Sequence, residues 1–216
     1  MRYSDLQNEI DRGTAISTIP AWAGSVLRAV ADGTLRITAV RHPLGFLCLP
    51  MERSGELGVC LHLWSPQLTT SGSSTSQVHC HSWDLLSFVL YGQVSNVLGR
   101  IEDGTTHRIF EVTTVGDQDM IRATDRIVGY RPERLDRYSA GETYSLPVGA
   151  FHSTVIEGSG EAATVALGRM VRSRSDLSLG PPEVPSHTQR RHLCGDAESA
   201  RGARVATAGL AAQYTY

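Results

Sequence analysis

His79 and His81, one residue apart, and a third histidine, His152, behind a glycine-proline-glycine frame constrain this chain more than any other feature. Side chains two apart on a strand point to the same face, so His79 and His81 aim two imidazoles at one point while Cys80 turns away. Gly141, Pro147, Gly149 and His152 follow the spacing G-x5-P-x-G-x2-H. Glycine permits a tight turn and proline stiffens it, which swings a rigid third imidazole toward the first two. Three neutral imidazoles suit a divalent transition metal and leave coordination positions open for a small molecule.

The stretches around these histidines look like strands. Residues 35–40 alternate apolar and polar, and residues 46–51 and 57–64 flank a hairpin turn at Arg53 to Glu56. Residues 67–77 are rich in Ser, Thr and Gly and predict a loop. An apolar run over 78–98 carries the histidine pair, with Gly92 as a strand break, and Asp103-Gly104 predicts a second hairpin turn. Residues 117–140 are polar and fit neither period. Residues 144–155 and 162–171 predict two closing strands. Ahead of them, residues 4–32 are helical in pattern. One short helix ends at Gly13, and a second starts near Ser17 with Pro20 in its first turn and runs to Gly33. After Arg172, proline and then an Ala/Gly/Arg stretch predict a mostly irregular tail, with room for a short helix near 197–212. The expected organisation is a helical segment at 1–34, an all-β antiparallel barrel at 35–172 and a tail at 173–216.

Composition removes several function classes. The chain has 216 residues, 41% hydrophobic, with a formal net charge of −2, so it suits one globular domain and no dedicated nucleic-acid binder. No apolar run approaches the length of a membrane span, and residues 1–7 lack an apolar signal core, so a cytoplasmic protein is expected. All 20 basic residues are arginine, which excludes Schiff-base, pyridoxal-phosphate and P-loop lysines. Cys48, Cys60, Cys80 and Cys194 form no CxxC pair. The first three lie in apolar stretches and read as small core residues.

The two histidine elements resemble the cupin superfamily, whose first motif runs G-x5-H-x-H-x3-4-E-x6-G and whose second is the Gly141-to-His152 pattern. His79, His81 and Gly92 match the first, and Gly72 stands one residue too far upstream. The resemblance covers residues 35–171 and implies a small antiparallel jelly-roll barrel with a metal inside it. It also implies association as a homodimer. The motif's Glu position is Leu85 here. Asp84 is adjacent, but strand period points it to the opposite face unless a bulge intervenes, so it is an extra ligand only in that case.

A shell of three histidines without carboxylate is similar to that of the thiol dioxygenases, cupins that hold non-haem iron. Residues 79–92, with Trp83, and residues 61–67 look like the bacterial mercaptopropionate group. In that family an upstream arginine binds the substrate carboxylate, a part open to Arg53 or Arg41, with Trp83 beside the substrate. Its Ser-x-His-x-Tyr series is missing, because residues 165–169 read Val-Ala-Leu-Gly-Arg. Arg169 is instead a candidate for holding an anionic substrate. His62 faces opposite to Leu61 and Leu63 and is a candidate acid–base group pointing into the barrel, and His42 is similar. Tyr91 and Tyr144 are candidate hydrogen-bond donors to bound oxygen, with core packing as their alternative role. The expected cofactor is Fe(II), with Zn, Mn, Ni and Cu as alternatives. The expected activity is oxygenation of a small polar, anionic or thiol substrate. The rival readings are an oxygen-independent isomerase or lyase and a non-catalytic binding module.

Overall fold

The computed structural model describes residues 1–68, 72–171 and 174–214. Helices α1 (Tyr3–Asp11) and α2 (Ala15–Ala31) are separated by Gly13, whose φ of +72° costs glycine nothing. Along α2, Ala15, Ile19, Ala23, Leu27 and Val30 recur at helical spacing and are buried. The strands follow as β1 (Val40–His42), β2 (Phe46–Ser54), β3 (Leu57–Trp64), β4 (His79–Cys80), β5 (Trp83–Tyr91), β6 (Gln93–Val115), β7 (Gln118–Ser139), β8 (Thr143–Leu146), β9 (His152–Ile156) and β10 (Ala162–Met170). Beyond them lie β11 (Asp176–Gly180), β12 (His187–Arg190), β13 (His192–Leu193) and α3 (Asp196–Gln213).

Two antiparallel sheets result among the described residues. One has the order β13-β1-β2-β3-β10-β5-β8 and the other β11-β4-β9-β6-β7-β12, with β11 also pairing β6. This is the architecture of an antiparallel two-sheet jelly roll with helices at both ends of the chain.

The first sheet has two differently used faces, and strand parity sorts them. Leu61 and Leu63 on β3, with Ala163, Val165 and Leu167 on β10, pack with the α2 and α3 side chains in one core. Their alternating neighbours turn inward: Cys60 and His62 on β3, Ala162, Thr164 and Ala166 on β10, and Leu85 and Val89 on β5. The inner surface of the second sheet is supplied by Val94, Asn96 and Leu98 of β6 against Ile156, Thr154 and His152 of β9.

Several expectations are corrected. Residues 35–39 are irregular, and the strand predicted there is confined to β1. Asp103-Gly104 is no hairpin turn. β6 runs past it to Val115, the register shifts between Glu102 and His107, and the chain reverses at Gly116 with φ +63°. A Cβ on Gly104 would stand 2.6 Å from Gly129 N, so this glycine serves close strand approach at a bulge. The polar stretch 117–140 is β7, whose outer half is exposed and so carries no apolar alternation. α2 begins at Ala15, placing Pro20 inside the helix rather than in its first turn.

The largest correction concerns the tail, whose predicted boundary at 172–173 lies outside the described residues. Within residues 174–214 the chain forms β11, β12, β13 and α3 rather than a mostly irregular tail, and α3 occupies the place allowed for a short helix near 197–212. β11 pairs with both β4 and β6, and α3 packs on α2 and the first sheet. Its buried positions, Ser199, Gly202, Ala203, Ala206 and Leu210, do follow a helical period, but with side chains too small to register as an apolar stripe. Small size is what the contact needs. A Cβ on Gly202 would collide with Leu47 Cδ2, and one on Gly209 would stand 2.7 Å from the Tyr91 ring. We expect Gly202→Val to cost roughly 1–3 kcal/mol through overpacking, read as a lower urea midpoint at unchanged slope.

Candidate metal centre

The short strand β4 carries His79 directly opposite His152 of β9, while His152 also faces Leu98 of β6. Two residues beyond His79, His81 leaves the strand, and its carbonyl accepts the Gly149 N–H at 3.0 Å. The Pro147–Gly149 turn is thereby tied to the histidine pair it faces. On the other side of β4, Ser178 of β11 pairs with His79, and Asp176 Oδ1 accepts the Ser82 N–H at 2.6 Å. Residues from four separate stretches fix where the three rings stand.

The rings converge. Ring centroids are 4.3 Å apart for His79 and His152, 4.8 Å for His79 and His81, and 5.1 Å for His81 and His152. One ligand nitrogen from each lies within 4.8 Å of the other two. His79 Nδ1 is 2.9 Å from the Gln77 carbonyl and His152 Nδ1 is 3.0 Å from the Ala150 carbonyl. A carbonyl oxygen only accepts, so both Nδ1 atoms carry the proton and donate it. Each Nε2 then keeps a free lone pair, the tautomer a metal-binding imidazole needs.

Electrostatics keep the rings neutral. Burial lowers the pKa of His79 and, more strongly, of His81, where the neighbouring imidazoles add to it. Burial, then the His79 ring, push His152 down to about 3. Such a group stabilises the fold fully above its unfolded pKa of about 6.5. Below that value the unfolded chain takes up protons that the folded chain refuses, so stability falls until pH reaches the folded value. The metal-free protein is therefore expected to lose stability as pH drops from about 6.5 toward 3, and His152→Gln to flatten that dependence. Urea midpoints measured across this window test it.

The residues picked out by sequence divide cleanly. Trp83 joins the group, its indole 4.2 Å from the His81 ring at 30°. Glycine makes that placement feasible, since a Cβ on Gly168 would stand 2.9 Å from the Trp83 ring. His62 points inward as expected, packed 4.5 Å from Phe46, and His42 stacks on the other side of Phe46 at 4.3 Å and 6°. Tyr144 packs in the inner cluster, and burial raises its pKa.

Other candidates lie elsewhere. Asp84 accepts the Val148 N–H at 3.0 Å and faces Arg169 at 3.6 Å, both on the side of the sheet away from the inner cluster. No bulge turns Asp84 inward, and Arg169 sits with it outside the barrel, 63% exposed. Arg41 is bound to Glu198 of α3 at 2.6 Å, and this ion pair ties α3 to β1. Tyr91 packs in the helix-side core against α3, where burial raises its pKa, so it is a structural residue. Arg53 turns inward over Gly58 and donates from Nη2 to Cys60 Sγ at 3.1 Å.

Sequence reasoning assigned Cys48 and Cys60 to the core, but they stand with His62 in a second group of ligand atoms within 4.8 Å of one another. The signal was available: Cys60 and His62 share strand parity, and Cys48 is the Cα partner of His62. The Cys48 thiol donates to Cys60, which lies well below the usual thiol range despite burial, helped by His62 and Arg53, while Cys48 is pushed well up. Three buried polar atoms facing inward, Ser87 Oγ, Thr164 Oγ1 and Asn96 Nδ2, have no hydrogen-bond partner among the described residues. Short polar residues on strands carry no distinctive motif, so sequence gave no pointer to them.

Fold and site together define an antiparallel double-sheet β-barrel carrying a three-histidine group suited to a divalent transition metal. No family model matches this chain, and no curated protein matches it. Among solved structures, a crystal structure of FeII HppE is 13% identical with a TM-score of 0.35 over 57% of this chain and 50% of that one, so the match spans half of that protein's length. A Klebsiella pneumoniae protein with a double-stranded beta-helix domain is 12% identical with a TM-score of 0.35 over 69% and 93%. Cellulomonas parahominis L-ribose isomerase is 11% identical with a TM-score of 0.34 over 63% and 72%. No described helix is long and apolar enough to cross a membrane.

Proposed function

We propose that this protein is a non-haem iron oxygenase that holds Fe(II) through Nε2 of His79 and His152 and a ring nitrogen of His81. The observation that carries the reading is the convergence of three neutral rings, two of them locked in the ligating tautomer by backbone carbonyls. When bound, the ion supplies Lewis acidity and redox access to O2. Three neutral ligands leave it with its full charge, which favours a small anionic or polar substrate that chelates it. Trp83 walls the His81 side with an apolar face and excludes water there. Thr164 Oγ1 and Asn96 Nδ2 offer buried hydrogen-bonding capacity to the polar end of a substrate, because leaving them unpaired costs each about 1–3 kcal/mol. His62, whose Cα partners are Thr164 and Cys48, lines the same inner face.

The test is anaerobic purification, metal analysis and oxygen uptake with panels of small thiols, carboxylates and polyols. About one iron per chain and substrate-dependent oxygen consumption are expected. A chain that takes up no transition metal at the three histidines overturns the reading. Turnover that proceeds equally without oxygen replaces it with a metal-dependent isomerase or lyase.

A further inference from the structure

The barrel carries a second donor set of different chemistry from the first. Cys48 of β2 stands opposite His62 of β3, and Cys60 lies two residues before His62 on the same face. Their two sulfurs and one nitrogen lie within 4.8 Å of one another. Ligand atoms around one tetrahedral ion stand roughly 3.5 Å apart, given bonds of about 2.3 Å to sulfur and 2.0 Å to nitrogen. Small side-chain rotations close that gap. All four cysteines are free, and Cys48 and Cys60 are buried, with Phe46 packed against them.

We propose that Cys48, Cys60 and His62 form a second metal site, for a soft d10 cation of the Zn2+ class, distinct from the all-imidazole group. Two thiolates and a neutral imidazole balance the charge of a divalent ion, whereas the three-histidine group leaves its ion fully charged. Sulfur donors select soft cations, so the two sites sort different metals. Arg53 is the outer partner of this site. Its guanidinium N–H points at Cys60 Sγ and orients the sulfur, as outer hydrogen bonds do for metal-bound ligands. Gly58 is part of the device, since a Cβ there would stand 2.7 Å from Arg53 Nη1 and displace it. The fourth position is left to solvent or a small ligand.

Titrating the reduced full-length protein with Co2+ and Zn2+ tests this. Two equivalents are expected to bind, with a near-ultraviolet thiolate-to-cobalt charge-transfer band for one of them. His152→Ala keeps that band and loses the other equivalent. Cys60→Ser loses the band and keeps the other equivalent. Cys194→Ser keeps both, which separates this site from the His192, Cys194 and Glu198 cluster. In unmodified protein, Zn2+ slows alkylation of Cys48 and Cys60 at least 10-fold, a reading that needs no variant to fold. A single equivalent, a band that disappears with His152→Ala or Cys194→Ser, or alkylation of Cys48 and Cys60 unaffected by Zn2+ overturns the proposal.

Discussion

Replacing His152 with alanine abolishes metal binding at the three-histidine group and leaves the barrel folded. The ring is 2% exposed and faces His79 across the β4–β9 pair, so no solvent-borne group replaces it without rearrangement. Two remaining imidazoles hold a divalent ion far more weakly. Since removing an outer hydrogen bond alone costs about 10–100-fold in metal affinity, losing a direct ligand is expected to exceed 100-fold. At a metal concentration 100 times the dissociation constant, binding stabilises the wild type by about 2.7 kcal/mol. That increment appears as an Fe(II)-dependent rise in Tm, and the variant shows none. The metal-free Tm changes little by comparison, because β9 keeps its backbone pairing with β6 over Val94 to Leu98. Thermal melts with and without metal, alongside metal analysis, separate the two effects. A His152→Ala protein that retains the Fe(II)-dependent Tm rise removes this residue from the metal shell.

The metal-binding rings were legible because their signal is local. An HxH pair needs only strand period, and the glycine-proline frame before His152 needs only turn chemistry. Leu85 was legible for the same reason: β5 parity puts it inward, with Asp84 outward, and the pairing confirms that no bulge reverses them there. What stayed hidden was non-local. Arg41 reads as any exposed arginine until α3 brings Glu198 to it from 157 residues away. Tyr91 was placed by its neighbourhood in an apolar strand, and only the docking of α3 shows which core it joins. α3 was legible only as room for a short helix near 197–212, because Ala and Gly carry little hydropathy, although the helix must be small-sided to sit on Leu47 and Tyr91. β7 escaped because it is mostly exposed from Arg131 to Ser139 and buries Asp119 beside Ile121, so no apolar alternation runs along it.

Deleting residues 174–216 destroys the cooperative fold, although this segment holds none of the three metal-binding histidines. α3 is 18 residues long and covers the helix side of the first sheet, with Ala203, Ala206 and Leu210 in the same core as Leu47, Leu61 and Val165. Uncovering several hundred Å² of apolar surface at about 25 cal/mol per Å² costs on the order of 10 kcal/mol, comparable with the whole stability of a domain. The deletion also removes β11, the partner of both β4 and the far half of β6. β4 is two residues long and is then left with a single pairing, His79 to His152. The expected product is aggregated or binds hydrophobic dye and unfolds in urea without a sharp transition. A milder cut separates the two contributions. Asp176→Ala removes only the carboxylate that accepts the Ser82 N–H beside His81, leaving α3 in place. Its urea midpoint shifts by an amount equivalent to about 1 kcal/mol, the usual worth of one such bond. Metal affinity falls about 10-fold, because the ring positions now fluctuate. A truncated chain with the full-length urea midpoint would show that the tail is dispensable, and an Asp176→Ala protein with unchanged metal affinity would show that β11 supports the fold but not the site.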